Sequence, residues 1–349
     1  MKVVFDPSTN KFNKYIDIIV SGLRENGLEV FSIKNIFADW KKFKSVRIVH
    51  LNWYENIDTN LDFIKKGIKL LILQLSNKTI IWTMHNKVQH DIKKSFLGKL
   101  LFRWLVLTSK KIVIHCRQSI NFLDLDDKQL KKVIYIPHPN YISAYEPNID
   151  VGEDSLEDDK KLKVLFVGSV KPYKNIELLM KVIESFPNDV ELLIAGKPFT
   201  SEYADILYLF GSAITNIKFD LNFIDDAKLL KYIKNCHLLI LPYDIASSLN
   251  SGTVILAFSN RKTVIAPNIG TIQDFNYPSR VLSYEYQNQE EHEDNLKAMV
   301  SKAISLKRNN SNVFVEYGND VYDRLLISNN NSTVISNYLE LYANLDHKY

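Results

Sequence analysis

Short apolar runs alternate with helix-length segments along nearly the whole chain, and no other feature restricts the fold so tightly. In the first half the runs at residues 2–5, 28–33, 46–51, 79–84, 111–116 and 133–136 read as strands, with helices over 14–26, 61–75 and 93–107 between them. The second half restarts the pattern, with strands over 163–167, 190–195, 217–219, 237–241 and 263–266 and helices over 175–186, 226–234 and 253–260. Strands separated by helices need crossover connections, which means parallel, doubly wound sheets. Two such halves in tandem bring the carboxyl ends of two sheets to a shared cleft, where open α/β sheets bind ligands.

The chain has 349 residues, too many for one ordinary domain. The charged stretch DVGEDSLEDDKK at 150–161 interrupts the alternation, so the expected division is 1–155 and 156–330, with a last amphipathic helix within 331–349 packing back on the first domain. Residues 1–150 hold 24 Lys and Arg against 14 Asp and Glu, whereas the remainder holds 20 against 26. A basic front half suits an anionic partner, a membrane surface or a nucleic acid. Cys116 and Cys236 lack metal-ligand spacing and read as free thiols in a reducing compartment. Met1 runs straight into a strand, and the richest apolar runs are too short to span a bilayer. The expected location is cytoplasmic, with peripheral contact to the inner face of the membrane.

Two places carry candidate chemistry. After the apolar run ending at Leu241, the loop through Tyr243 to Asn250 leads to Ser251, Gly252 and Thr253 at the start of a second apolar run. Asn250 or Ser251 is a candidate N-cap, and a strand, loop and small-residue helix start is a geometry that binds phosphate. It is also the way an ordinary helix is capped. The segment LFVGSVKPYKNIELLM, residues 165–180, ends a strand at Gly168 and places Lys171 and Lys174 three apart before a helix that Asn175 can cap. Two ammonium groups beside a helix N-terminus suit a diphosphate; two solvated loop lysines are the plainer reading.

These segments resemble those of glycosyltransferases with the GT-B fold, in particular glycosyltransferase family 4 of the bacterial polysaccharide type. FVGSVKPYKNIELLM is similar to the family's lysine-bearing loop, LLIAGKP at 192–198 to its next strand and turn, FIDDAKLLKYIKNCHLLILPY at 223–243 to a helix and strand, and SLNSGTVILAFSNRKTVIAPNIG at 248–270 to its phosphate-binding helix. IVHLNW at 48–53 and IIWTMHNKVQHD at 80–91 look like acceptor-domain segments.

The resemblance implies an α/β protein of two Rossmann-like domains that moves a sugar from a nucleotide-diphosphate donor, UDP- or GDP-linked, without a cofactor or metal. The acceptor it implies is a saccharide or a polyprenyl-diphosphate-linked saccharide in capsule or exopolysaccharide synthesis. Lys171 and Lys174 would hold the diphosphate, with backbone N–H groups of Ser251, Gly252 and Thr253 on the distal phosphate. Pro198, Phe223 and Ile224 would border the base, and Tyr243 would sit by the diphosphate or ribose. His85 matches the histidine placed beside the transferred sugar, with Asn86, His90 and Asp91 close by. If a general base is required, His85, His90, Asp91 and Glu55 are the candidates; His85 as a buried, hydrogen-bonded imidazole is the alternative. The chain departs from the family where a pair of glutamates is usual, since Ser248 and Leu256 stand there. Arg261 replaces a turn glycine, and the loop at 6–10 lacks a Gly-Gly pair.

Other clusters read as ordinary structure. The acidic residues at 124–127 and 290–294 suit helix starts better than metal sites. In 93–111, Phe96, Leu97, Leu100, Leu101, Trp104 and Leu105 form one expected stripe flanked by lysines and Arg103, a pattern for a membrane interface or for a core helix with a basic face. The sequence leaves two other functions open: a nucleotide-sugar epimerase of the same shape, and a non-catalytic protein that binds membrane or nucleic acid.

Overall fold

The computed structural model describes residues 1–10, 13–85, 95–145 and 160–346. They fall into two units, residues 1–139 with 329–349, and residues 140–328. The sequence placed the first division at 155/156. Residues 140–145 go instead with the second unit, where the Tyr141 amide donates to Ser259 Oγ at 2.9 Å. Most of the charged stretch at 150–161 lies outside the described residues.

The first unit is built on β1 (Lys2–Asp6), β2 (Glu29–Phe31), β3 (Ile48–Asn52), β4 (Thr79–Met84), β5 (Lys111–Ile114) and β6 (Val133–Tyr135). All pairings are parallel and the order is β2-β1-β3-β4-β5-β6. Its helices are α1 (Lys14–Glu25), α2 (Ile33–Ala38), α3 (Trp40–Ser45), α4 (Asn60–Leu75), α5 (Ser95–Thr108) and α6 (Asp127–Leu130). The caps are local and polar: Asn13 for α1, Ser32 in a capping box with Asn35 for α2, Asp39 for α3 and Thr59 for α4. Ser32 also explains why the second strand is only three residues long, since its side chain starts a helix where the sequence suggested more strand. Asp126 caps α6, the ordinary helix start expected for that acidic run.

The second unit has β7 (Leu162–Val167), β8 (Val190–Ala195), β9 (Ile217–Asp220), β10 (Leu238–Ile240), β11 (Val264–Pro267) and β12 (Leu282–Tyr284), parallel throughout in the order β12-β11-β10-β7-β8-β9. Its helices are α7 (Ile176–Glu184), α8 (Ser201–Gly211), α9 (Asp226–Lys234), α10 (Gly252–Ser259), α11 (Gly270–Phe275), α12 (Gln289–Asn309) and α13 (Val313–Ser328). The sequence pattern did not announce β12, α8 or α13. Strand β12 is three residues long, and α8 leaves Ile206, Leu209 and Phe210 exposed, which blurs the helical period.

Helix α14 (Asn331–Asp346) returns to the first unit and packs on α1, close enough that a Cβ on Gly22 would stand 2.6 Å from Ile335. The cores are aliphatic: Val3, Val4, Ile81 and Val113 in one sheet and Leu165, Ile194, Leu239 and Ile265 in the other are fully buried. Both cysteines are buried and free.

Candidate active site

In the second sheet the strand order reverses between β7 and β10, and the loops that leave these two strands carry the residues singled out above. They are laced together. Asn175 Nδ2 donates to the Pro242 carbonyl at 3.0 Å, and the Asp244 amide donates to the Tyr173 carbonyl at 3.3 Å. Asn175 stands at the N-cap of α7 as expected, but in the left-handed region (φ 52°) and without a side-chain cap bond, its side chain turned instead towards Pro242. Gly168 and Gly196 let β7 and β8 end in close contact: a Cβ on Gly196, at φ +145°, would stand 1.8 Å from the Gly168 carbonyl oxygen.

Lys174 is half-buried, with Nζ 3.8 Å from the centroid of the Tyr243 ring. Burial lowers its pKa, opposed in part by Tyr173, and among the described residues no carboxylate pairs with it. Lys171 Nζ lies 5.5 Å from the ring centre of Phe199. Tyr243 is fully buried and accepts from the Ser251 hydroxyl at 3.0 Å; burial raises its pKa against the hydrogen bonds of Ser251 and Thr253. Its carbonyl accepts from Tyr286 Oη at 3.1 Å, and Tyr286 in turn stacks on His292 at 3.9 Å.

Ser251, not Asn250, is the N-cap of α10, its Oγ accepting from the Val254 amide at 3.2 Å. The Ser251 amide itself donates to Thr271 Oγ1 at 3.0 Å, so it is already engaged, contrary to the expectation that it faces a phosphate. The first-turn amides of Gly252 and Thr253 remain without a partner among the described residues, next to Tyr141 Oη, which would lie 3.1 Å from a Cβ on Gly252. Neither Tyr141 nor Thr271 was found from the sequence, because both come from elements distant in the chain. Pro198 bridges to Val170 beyond the ends of β8 and β7, and Phe223, just after β9, is exposed with half-buried Ile224 beside it. An apolar rim, two ammonium groups and two open amides thus gather at one end of the sheet.

In the first unit the order reverses between β1 and β3. Asn52 Nδ2 donates to the Asp6 carbonyl at 3.3 Å, which leaves its Oδ1 to accept from His85 Nε2 at 3.0 Å. Proton and tautomer follow: His85 is neutral, held well below the usual imidazole pKa by burial first and by His115, His138 and His50 next, with its acceptor at Nδ1. Trp53 stacks on its ring at 3.8 Å and 14°, and Tyr15 meets it edge-on at 5.2 Å. His115 and His138 complete the cluster. The sequence did hold a signal for them, since a histidine follows each of β4, β5 and β6 within three residues.

Glu55 is not brought to His85. Its Oε2 accepts from Trp82 Nε1 at 2.9 Å, and Trp82 packs against Phe102 of α5, on the face of the sheet opposite to Thr83, His50 and the α14 tyrosines. Asn86, His90 and Asp91 lie outside the described residues. The expected stripe on α5 also divides: Leu101 and Leu105 are buried, while Phe96 and Leu100 are exposed. Among the described residues no cluster of histidine, cysteine and carboxylate side chains is arranged to hold a metal ion.

The model of the family glycosyl transferases group 1 matches residues 150–320. No curated protein matches the sequence. The fold is that of sucrose-phosphate synthase from Thermosynechococcus elongatus, with a TM-score of 0.74, 15% identity and coverage of 100% of this chain and 99% of that one. It is also similar to HepE from Anabaena in complex with UDP and glucose (TM-score 0.69, 11% identity, 98% and 99% covered). The catalytic domain of starch synthase IV from Arabidopsis thaliana, bound to ADP and acarbose, follows at a TM-score of 0.62 and 10% identity, with 96% and 78% covered. The second unit, nearly all of which the family model matches, is a group 1 glycosyltransferase domain, and the two doubly wound parallel sheets give the chain the GT-B fold.

Proposed function

We propose that the protein transfers a sugar from a nucleoside-diphosphate donor, UDP- or GDP-linked, to a saccharide or polyprenyl-diphosphate-linked saccharide at the cytoplasmic face of the membrane, as family 4 enzymes of cell-surface polysaccharide synthesis do. The observation that carries the reading is the convergence of Lys174, Tyr243 and the open amides of Gly252 and Thr253 where the strand order reverses. A departing nucleoside diphosphate gains negative charge, and fixed cations and N–H dipoles stabilise it without reorganising. Lys171 and Lys174 would neutralise the diphosphate, the α10 amides would take the distal phosphate, and Pro198, Phe223 and Ile224 would border the base. Asn250 and Ser251 shape that turn, with Ser251 acting through its cap and its bond to Tyr243. UDP in HepE and ADP in the starch synthase support the same class of leaving group.

In the first unit the neutral His85, donating from Nε2 to Asn52 and stacked on Trp53, would stand beside the transferred sugar or the acceptor. The test is a titration of UDP, GDP and their sugars by thermal shift, followed by transfer assays on saccharide acceptors. A specific donor raises the melting temperature by mass action. A protein that no nucleotide or nucleotide sugar stabilises would refute the assignment.

A further inference from the structure

The outward face of α4 has the composition of a buried one. Leu61, Ile64, Ile68, Leu71 and Leu75 recur at alternating spacings of three and four, and all are exposed, Leu61 by 58% and Leu75 by 76%. The opposite face, with Gly67, Leu70 and Leu73, packs inward, so the helix is apolar on both sides. An exposed apolar stripe of this length on a surface helix calls for a cover, either protein or lipid.

The neighbouring elements extend this face. Gly67 lets Trp104 of α5 come close (3.2 Å from a Cβ placed there), and Trp104 Nε1 donates to Gln74 of α4 at 3.0 Å. From α5, Phe96, Leu100 and Leu107 are exposed, Phe96 by 76%. On the other flank Lys69 of α4 lies over the Phe37 ring of α2, which leads through Phe43 to Trp40, itself 65% exposed with Lys44 over its ring. Apart from carboxylates paired with neighbouring lysines, the charges on this surface are of one sign. Lys65, Lys99 and Arg103 are exposed, α5 carries no acid, and the one acid of α4, Asp62, is paired with Lys66 at 3.1 Å.

We infer that α4 and α5, with Trp40 of α3, form a docking surface for an anionic lipid bilayer, the apolar side chains entering the interface while Lys65, Lys99 and Arg103 meet the headgroups. Charge selects the occupant. A second copy laid on this face by a two-fold axis would set cations against cations, and the carboxylates near them, Asp62 and Asp39, are already paired with Lys66 and Lys42. Anionic headgroups supply the missing charge, and a tryptophan beside lysines is a common interfacial anchor. The inference rests on the proposal of a membrane-linked acceptor and gives it a location on the chain.

The experiment is co-sedimentation of the full chain, without donor, with vesicles of phosphatidylglycerol and phosphatidylcholine and with phosphatidylcholine alone. The full chain is expected to partition to the anionic vesicles and not to the neutral ones. The triple variant Ile64→Ser, Ile68→Ser, Leu71→Ser should lose about tenfold or more in partition while keeping its melting temperature. Lys65→Glu, Lys99→Glu, Arg103→Glu, which leaves the apolar stripe intact, should lose at least as much, since each cation near such a surface is worth about fivefold. No partition of the unmodified chain, or undiminished partition of both variants, overturns the inference. So does a dimer in sedimentation velocity that the Ser variant dissolves. Donor thermal shift on the same preparations separates the two claims: vesicle binding without donor binding refutes the transferase proposal alone, and the reverse refutes the docking surface alone.

Discussion

The ammonium of Lys174 rests 3.8 Å from the ring centre of Tyr243, whose hydroxyl accepts from Ser251, the cap of α10. A desolvated cation without a carboxylate partner disfavours the folded state, and a bound anion offsets what the Tyr243 ring does not. Lys174→Met should therefore leave the melting temperature unchanged or raise it, while donor turnover falls by about a hundredfold or more. Thermal denaturation and a transfer assay on the same sample check both halves. Wild-type turnover in this variant would remove Lys174 from the site.

The amides of α10 can be tested one at a time. Gly252 is the first helical residue and Ser251 before it is extended (φ −132°, ψ 107°), so proline fits position 252 and deletes its N–H. Gly252→Ala crowds Tyr141 Oη in a similar way but keeps the N–H. Donor affinity by calorimetry should fall about tenfold or more further in Gly252→Pro than in Gly252→Ala. Equal affinities would mean that this amide does not touch the phosphate.

How far the sequence reaches is visible in these same residues. Lys171, Lys174, Tyr243 and Ser251 were legible because strand ends and helix starts are local events, written in runs of apolar residues and in capping side chains. The engagement of the Ser251 amide by Thr271 was not, since twenty residues and an intervening strand separate donor from acceptor. The outward stripe of α4 was missed for a different reason: periodicity reveals that a helix has apolar residues three and four apart, but not which side faces the sheet. Glu55 was a candidate base, and its bond to Trp82, whose place in the pleat of β4 faces away from Thr83, holds it on the other face.

That displacement has a measurable consequence. Burial, against the pull of its own amide, Trp82 and Lys66, pushes the Glu55 carboxyl up to about 7, and its Oε1 has no partner among the described residues. Between the ordinary value of 4.5 and about 7 the folded chain holds a proton that the unfolded chain releases, so this group's contribution to stability falls as pH rises through that window. Glu55→Gln should melt higher than the wild type at about pH 8, with the gap closing towards acid, and should keep wild-type transfer activity. Loss of transfer without loss of stability would return Glu55 to the list of bases.

The histidines act with the opposite sign. Burial lowers His50 to about 3, His115 to about 4 and His138 to about 3, and lowers His85 as well. An unfolded chain takes up these protons near pH 6.5, so below that value it binds more protons than the native state and stability falls as the pH drops. Each histidine adds about 1.4 kcal/mol per pH unit to the slope until its folded value is reached. Melting temperature recorded across the acid range should decline steeply below about pH 6.5, and His50→Gln should flatten the slope by about one proton. A flat profile there would show that these rings are protonated in the native state.

The hydroxyls linking α1 to α14 have a direction that mutation can read. His115 Nδ1 faces the Ile136 carbonyl at 2.8 Å and must carry the hydrogen, so its Nε2 accepts from Tyr15 Oη at 3.1 Å. Tyr15 has then spent its hydrogen, and the 3.0 Å contact with Tyr338 is a bond that Tyr338 donates. Tyr338→Phe removes the terminal donor and leaves Tyr15 still bound to His115, a cost of about 1 kcal/mol. Tyr15→Phe strands the His115 nitrogen in a buried setting, at about 1–3 kcal/mol, and leaves the Tyr338 hydroxyl only Thr83 as a partner. Denaturant unfolding should therefore rank Tyr15→Phe as the more damaging change by about 1 kcal/mol, although each variant loses a single oxygen. Equal costs would mean that the chain of donors runs the other way, with His115 carrying its proton on Nε2.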